Sequence, residues 1–289
     1  MRKLLFLYSI LTAVLLTSCK KEEAQTPQKG KITIEADESF KNVTEALTER
    51  YMAFYPEAEL QVVYKKEDSA LVDLLENRAG VIVMSRKLNE KEQKRYEEKV
   101  DMPYQPANFA GDAVVFVVPA NAERQNLSIK EIEEMLQSED KNLIFDGANA
   151  SNLNFVAQTL NKKPSELKFS VIRGNENIIE NLHQFPNKIG VISLNTISRN
   201  FSKDVEALKE KIKILPIIAE NGKAYTPDLE NIRTMQYPFS RILYFLTNEG
   251  FFGVGNGFIR FSCTQIGQIV VAKQGLQPYN LYKREVQMR

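Results

Sequence analysis

Apolar positions in the first third of the chain repeat at strand spacing and at helix spacing in turn. After a short apolar strand, Phe40, Val43, Leu47 and Tyr51 recur every three or four residues, which is typical of a helix packed on a sheet. The order strand, helix, strand, helix, strand predicts a mostly parallel sheet with helices on its faces. The predicted elements are strands over residues 31–35, 60–64 and 81–84 and helices over residues 39–55 and 69–77.

The middle of the chain repeats this alternation and predicts a second α/β unit. An all-apolar strand over residues 113–118 ends at Pro119, and Ser128 with Glu131 forms a capping box that opens a helix. The further predicted elements are strands over residues 142–145, 168–172, 189–192 and 214–219, a helix containing Leu153, Val156 and Leu160, and a helix over residues 175–185.

The last part of the chain has a different pattern. Residues 235–247 indicate a long extended segment broken by Pro238, and residues 255–274 indicate one long helix that Gly275 stops. Two α/β units and a returning C-terminal segment predict two lobes that face a cleft. Ligands of open α/β sheets bind beyond the carboxyl ends of the strands, where helix N-termini point.

The N-terminus has the layout of a secretory signal peptide. Arg2 and Lys3 precede an apolar run over residues 4–16, which is shorter than the roughly 20 residues that a membrane span needs. Residues 16–19 then resemble a bacterial lipobox, which implies removal of residues 1–18 and a lipid on Cys19. The alternative is an uncleaved anchor helix; either way the body lies outside the cytoplasm on a membrane. The polar residues that follow predict a tether over residues 19–30.

Charge and cysteine content narrow the class of protein. The formal net charge of +1 changes to about −1 when Arg2 and Lys3 leave with the signal peptide, so no basic excess indicates a nucleic-acid partner. With Cys19 lipidated, Cys263 has no cysteine to pair with and is interpreted as a small core residue on a helical stripe. The mature body is long enough for one large domain or two smaller ones.

The sequence lacks the motifs of the common catalytic and metal sites. Its single histidine, His183, cannot form a two-histidine metal site and is interpreted as a surface residue. No Gly-x-Ser-x-Gly elbow and no P-loop sequence is present. The glycines of residues 253–257 have the wrong spacing for a dinucleotide fingerprint and indicate a turn before a helix. No catalysis and no cofactor are therefore expected.

Small polar residues at the strand-to-helix junctions are the remaining candidates for chemistry. Helix starts present unpaired N–H groups and a partial positive charge, which suit an anion, although such residues also serve as simple caps. A helix end supplies about 0.3–2 kcal/mol and a charged hydrogen bond about 1.5–3 kcal/mol. Micromolar binding needs about 8 kcal/mol, so several junctions must converge from two lobes. The four junctions are residues 35–39, 67–69, 146–152 and 173–175.

The chain resembles the phosphate-binding lipoproteins of bacterial phosphate ABC importers. The resemblance covers about residues 31–283, and its motifs occur in the family's order. The most specific is the segment Tyr237-Pro238-Phe239-Ser240-Arg241, which is followed by a long helix and a Gly-x-x-Pro end. The others are Ser39-Phe40 with Tyr51 and Pro56, residues 81–88, residues 111–121, residues 174–176 and residues 187–192.

This resemblance implies a type II periplasmic-binding-protein fold, with two α/β lobes joined by two hinge strands. Lobe I would comprise residues 31–112 plus 236–289 and lobe II residues 113–235, with crossings near Asp112 and Pro238. The implied function is the binding of phosphate or a similar oxyanion for an ABC permease and ATPase complex. A monomer is implied as well.

The resemblance carries the anion contacts over only in part. The expected ligand-binding residues are Ser39, Ser69, Ser151 and Asn152, with Arg86 as a further source of positive charge. The family has a proton-accepting aspartate near the third strand, where this chain has Gly80 and Val81, and an arginine after the second-lobe junction, where this chain has Asn154. The ligand therefore stays open between phosphate, another oxyanion such as sulfate or molybdate, and an organic phosphate. A surface or sensory lipoprotein with a degenerate site is the alternative of a different class.

Overall fold

The computed structural model describes residues 25–282. The predicted signal peptide, Cys19 and the first part of the tether lie outside these residues. Within the described range, no helix is both long enough and apolar enough to span a membrane.

The N-terminal α/β unit forms as its apolar spacing predicts. Strand β1 pairs in parallel with β2 along its whole length and with β3 on its other side. Phe40, Val43, Leu47 and Tyr51 of the predicted helix are all buried against the sheet. The elements are β1 (Lys29–Ala36), a 3-10 turn (Glu38–Phe40), α1 (Lys41–Phe54), β2 (Glu57–Tyr64), α2 (Glu67–Leu75), β3 (Val81–Met84) and α3 (Glu90–Val100).

The second unit follows a long strand, β4 (Ala107–Pro119), whose two ends belong to different parts of the sheet. A small strand over residues 212–214 pairs with the end of β4. A separate three-stranded sheet contains residues 127–128, 217–218 and 224–225. The elements are β5 (Leu127–Ser128), α4 (Ile129–Gln137), β6 (Leu143–Phe145), α5 (Ser151–Thr159), β7 (Ser170–Val171), α6 (Asn175–Asn181), β8 (Ile189–Ser193), α7 (Lys203–Glu210), β9 (Ile212–Ile214), β10 (Ile217–Ile218), β11 (Ala224–Tyr225) and α8 (Leu229–Arg233).

The C-terminal segment returns to the first unit. Strand β12 (Ser240–Thr247) pairs antiparallel with β3 and with the first part of β4, and β13 (Gln277–Pro278) also pairs with β4. The main sheet has ten strands, with the central order β2-β1-β3-β12-β4-β8-β6-β7. The α/β fold expected from the sequence is confirmed, and β4 and β12 are its central strands.

Three separate apolar cores, one in one half and two in the other, divide the structure into halves. We call the part built on β1, β2, β3, β12 and the start of β4 the first half, and the part built on β6, β7, β8 and the end of β4 the second half. The core of the second half runs from Ala113 to Phe239, and the cores of the first half contain Phe109, Leu243 and Phe245. Charged and polar side chains therefore meet where the halves touch.

Three predicted elements differ from the structure. The helix predicted over residues 255–274 is two helices, α9 (Val254–Cys263) and α10 (Gln265–Lys273), because Thr264 has an extended backbone that caps the second. The carbonyls left open there accept hydrogen bonds from Gln268, Asn280 and Tyr282.

The other two differences are shorter strands. The strand predicted over residues 214–219 stops at Ile214 and restarts at Ile217, since Pro216 cannot donate to a strand ladder. The extended segment predicted over residues 235–247 begins only at Ser240, because Met235 has a left-handed backbone and α8 closes just before it.

Cys263 packs against the core of the first half, as its position on the apolar stripe predicts. Burial raises the pKa of its thiol to about 11, so the side chain stays a neutral packing group.

Candidate functional site

Two strand-to-helix junctions from opposite halves meet at the carboxylate of Asp37. This side chain is fully buried and caps the turn after β1. One oxygen, Oδ1, accepts the N–H of Ser39 at 3.0 Å, and Oδ2 accepts the N–H of Ser151 at 3.1 Å. Ser151 is the first residue of α5, so the helix N-terminus of the second half is directed at an anionic group of the first half.

A chain of amides joins the same two junctions beside Asp37. The side chain of Asn175, at the start of α6, donates to Ser39 Oγ at 2.9 Å and accepts from Asn152 Nδ2 at 2.9 Å. Gly174 precedes it with a φ of +85°, a conformation that favours glycine and that places Asn175 at this point. Ser39, Ser151 and Asn152 are thus brought together, each at most 1% exposed.

Arg241 is the buried cation of this site. It is 1% exposed, and its Nε donates to Asp112 Oδ2 at 2.8 Å. Its Nη2 donates to Asn152 Oδ1 at 3.0 Å, and its guanidinium lies 4.8 Å from the centre of the Phe40 ring. Arg241 and Asp112 are directly opposite each other in the antiparallel pair of β12 and β4, so the strand register sets this ion pair.

Three acidic side chains, Glu67, Asp68 and Glu92, lie around Arg86. Glu67 is fully buried and accepts both the N–H and the hydroxyl of Ser85, at 2.6 and 2.8 Å. Burial raises the pKa of Glu67, although the nearby Arg86 guanidinium offsets part of this rise. Arg86 itself donates to Glu92 and Asp68, so carboxylates already pair its charge. The structure does not bring Arg86 to Ser39 and Ser151.

An open groove lies between the halves, and its lining includes Glu38, the residue before Ser39. Lys66 of the first half donates to Asp146 Oδ2 of the second half at 2.7 Å. Ser69 is exposed and lines this groove with Lys66, Asp146 and Arg173. The predicted contact Ser69 therefore lies apart from the buried group of Ser39, Ser151 and Asn152.

Burial, with the nearby Asp37 carboxylate, raises the pKa of Asp146 to about 6, although Lys66 lowers it. The folded protein thus takes up a proton near pH 6 that the unfolded chain takes up only near the ordinary pKa of 3.8. The Asp146 contribution to the free energy of unfolding therefore increases as pH falls through about 6 and is complete below about 4. Asp146→Asn lacks this contribution. The free energy of unfolding of the unmodified protein minus that of the variant should therefore become more positive by at most about 3 kcal/mol from pH 7 to pH 4.

Urea unfolding at a series of pH values measures this difference. Lys66→Gln serves as the second variant: without the ammonium the Asp146 pKa rises further, and the increase should begin at a higher pH. A difference between unmodified protein and Asp146→Asn that is the same at every pH would contradict the assignment.

Several residues of the site were not among the sequence-predicted contacts: Asp37, Asp112, Asn175 and Arg241. Arg241 and Asp112 each stand beside apolar residues in strands, and a charge is rarely buried unless it is paired. That was the signal available in the sequence. Asp37 gave no such signal, because an aspartate before a helix is most often an ordinary cap.

The anionic group held at this site is the Asp37 carboxylate of the protein itself. Among the described residues, no group of three or more acidic, histidine or cysteine side chains has metal-binding geometry. The N–H groups of Ser39 and Ser151 already hold a carboxylate, and Ser151 Oγ is buried with no hydrogen-bond partner in the structure. The structure shows one carboxylate held by backbone N–H groups from both halves, with the hydroxyl of Ser151 beside it.

The chain belongs to the PBP superfamily. A PBP superfamily domain model matches residues 21–265. A comparison with curated protein sequences gives no match.

Three solved structures share the fold at low sequence identity. A phosphate ABC transporter substrate-binding protein from Clostridium perfringens, with bound phosphate, is 18% identical, with a TM-score of 0.71 over 87% of this chain and 100% of that chain. An ABC-type phosphate transport receptor from Vibrio cholerae is 16% identical, with a TM-score of 0.64 over 86% and 100%. PstS from Borrelia burgdorferi is 18% identical, with a TM-score of 0.55 over 86% and 99%. At these identities the likeness establishes the fold.

Proposed function

We propose that this protein is an extracytoplasmic solute-binding lipoprotein. It binds phosphate or a similar oxyanion between its halves and presents the ligand to an ABC permease and ATPase complex. We assign lobe I to residues 31–112 plus 236–289 and lobe II to residues 113–235, as expected from the sequence. The body is a monomer held to a membrane by a lipid on Cys19. The site carries out no catalytic step.

The observation that carries this proposal is the environment of the Asp37 carboxylate. A carboxylate is itself an oxyanion, and N–H groups from both halves hold it. Phosphate placed there would receive the same N–H groups, with the hydroxyls of Ser39 and Ser151 and the amide of Asn152 nearby. Four such charged hydrogen bonds, at about 1.5–3 kcal/mol each, reach the roughly 8 kcal/mol of micromolar binding. The fold shared with a phosphate-bound relative supports the same ligand.

Titration calorimetry of the mature chain with phosphate and then sulfate tests the proposal. We expect heat with phosphate and a higher unfolding temperature when phosphate is present, since ligand at 100 times its Kd adds about 2.7 kcal/mol to the free energy of unfolding. Heat with sulfate alone would move the assignment to a fully ionised oxyanion. No heat with either ion would remove simple oxyanions from the function.

Ser151→Ala is expected to weaken phosphate binding about tenfold. The variant loses one hydroxyl donor to a charged ligand, a loss of about 1.5 kcal/mol or more, while the backbone N–H remains. Ser165→Ala, which removes a hydroxyl from an exposed turn of the same half, is the matched control. Equal phosphate affinities of Ser151→Ala and the unmodified protein would contradict the placement of the ligand.

An organic phosphate is the second candidate ligand, and the groove beside Lys66 favours it. This groove has a volume of about 590 Å³ and is lined by Tyr64, Lys66, Val171 and Arg173. It would accommodate an organic group attached to a phosphate bound at Ser39 and Ser151. A competition screen with phosphorylated metabolites against phosphate distinguishes the two, and Ser69→Ala should affect only the larger ligands.

The alternative of a surface or sensory lipoprotein draws support from the acidic surplus at the interface. Asp37, Glu67 and Asp146 are all fully buried there. If phosphate, sulfate and organic phosphates all give no heat, this alternative replaces transport.

A further inference from the structure

The chain enters the folded body at a fixed point. Pro27 accepts a hydrogen bond from the hydroxyl of Tyr51, and Thr26 pairs with Lys29. Gly257 of α9 faces Pro27 so closely that a Cβ there would lie 2.8 Å from the proline Cβ. The segment from the predicted lipid site therefore reaches the body against α1 and α9.

Large aromatic side chains are exposed around this entry point. Phe54 at the end of α1 is 45% exposed, and Phe251 and Phe252 in the loop before α9 are 56% and 54% exposed. Phe252 lines one cleft together with Pro27, Tyr55 and Phe261, and the Phe54 ring lies 5.7 Å from that of Phe261. The rings of Phe54, Phe261 and Phe252 thus follow one another beside Pro27, and Phe251 precedes Phe252 in the same loop. Neighbouring exposed apolar rings of this kind mark an interaction surface.

Two arginines complete this surface. The Arg50 guanidinium lies 4.8 Å from the centre of the Phe54 ring, and that of Arg260 lies 5.8 Å from the Phe252 ring. Both side chains are exposed, and within residues 25–282 neither makes an ion pair. The nearest carboxylate in the loop, Glu249, is buried and accepts the N–H groups of Gly255 and Asn256. The surface therefore combines apolar rings with two positive charges.

We propose that this surface, defined by Arg50, Phe54, Phe251, Phe252 and Arg260, rests on the bilayer that anchors the protein. The rings lie among the lipid headgroups, and the two guanidinium groups pair with lipid phosphates. The inference rests on the lipid at Cys19 from the proposed function, and it does not depend on which ligand binds between the halves.

The length of the connecting segment favours the bilayer as the partner. Five residues separate Cys19 from Gln25, and the six Cα–Cα steps between them span about 20 Å when fully extended. The lipid therefore keeps the headgroup layer close to the surface at all times, which raises its effective concentration there above that of any freely diffusing partner.

Hydrogen–deuterium exchange on the mature lipidated protein tests the proposal. The protein is compared in phosphatidylethanolamine–phosphatidylglycerol vesicles and in detergent. We expect exchange of the amides at residues 250–256 to slow at least fivefold in vesicles, and this protection to be lost in Phe251→Ser/Phe252→Ser. Leu229→Ser/Met235→Ser, which removes two exposed apolar side chains from the second half, should keep it.

Three results would overturn the assignment: equal exchange in vesicles and detergent, protection that depends on protein concentration, and protection that appears only when the permease is added. The second would identify another copy of this chain as the partner, and the third the permease. Phosphate titration of the same samples examines the cleft independently. Protein that binds phosphate without protection overturns only the surface proposal, and protected protein that binds no phosphate overturns only the phosphate assignment.

Discussion

Asp37→Asn is expected to bind phosphate at least ten times more tightly than the unmodified protein. The Asp37 carboxylate holds the N–H groups of Ser39 and Ser151 that the ligand needs. Phosphate must displace it and then remain close to its negative charge. The amide of asparagine has a single acceptor oxygen, so it can hold only one of those N–H groups. That remaining bond is also weaker, because a neutral hydrogen bond contributes about 0.5–1.5 kcal/mol against about 1.5–3 for a charged one. The difference over two bonds exceeds the 1.4 kcal/mol that corresponds to tenfold in affinity.

The same substitution should loosen the ligand-free protein. The bond from the Ser151 N–H to Asp37 connects the halves, and the bond from the Ser39 N–H holds the turn after β1. Weakening both should lower the free energy of unfolding by about 1–3 kcal/mol in the absence of phosphate. Phosphate should then raise the unfolding temperature of Asp37→Asn by more than it raises that of the unmodified protein.

Glu38→Gln is the control for Asp37→Asn. It makes the same change of charge one residue away on an exposed side chain, so it should change phosphate affinity by less than about threefold, as a screened surface charge does. Weaker phosphate binding by Asp37→Asn would show that the carboxylate contacts the bound ligand instead of competing with it. Calorimetry on the three proteins decides between these outcomes.

Arg241→Ala is expected to lower the free energy of unfolding by about 3–5 kcal/mol. Its guanidinium and the Asp112 carboxylate are both fully buried. Removing the arginine leaves a buried carboxylate without its cation, and this uncompensated charge is the main cost. The variant also loses the bond from Arg241 to Asn152, so phosphate binding should weaken together with stability.

A double-mutant cycle separates the ion pair from simple loss of packing. Asp112→Asn combined with Arg241→Ala should cost at least 1 kcal/mol less than the sum of the single substitutions, because the double variant buries no unpaired charge. Arg233→Ala, which breaks an exposed pair with Glu230, should change the free energy of unfolding by less than about 1 kcal/mol. Additive costs at Arg241 and Asp112 in urea unfolding would contradict the role given to the pair.

Local sequence signals predicted most of the elements that build the site. The apolar run of β3 and the Ser128 capping box gave elements close to their observed bounds, since both depend on short-range spacing. Helix α3 was missed because only Tyr96 of its residues is buried, which leaves almost no apolar stripe. Helix α9 was joined to α10 because the break at Thr264 depends on hydrogen bonds from Asn280 and Tyr282, far along the chain.

The candidate site shows the same division. Ser39, Ser151 and Asn152 were predicted from their places at helix starts, and the structure brings them together. Ser69 satisfied the same local rule, yet it lies in an open groove. Arg86 was expected only as a source of positive charge after the third strand, and carboxylates hold it.

The sequence by itself determined the α/β class, the two units and the helix starts, because hydrophobic period and capping chemistry act within a few residues. Only the tertiary structure decided which junctions meet, that Arg241 faces Asp112, and that Asp37 lies at the N-terminus of α5. These contacts join residues more than a hundred positions apart. Strand pairing and the packing of one half on the other determine these contacts, and a local sequence pattern predicts neither the pairing nor the packing.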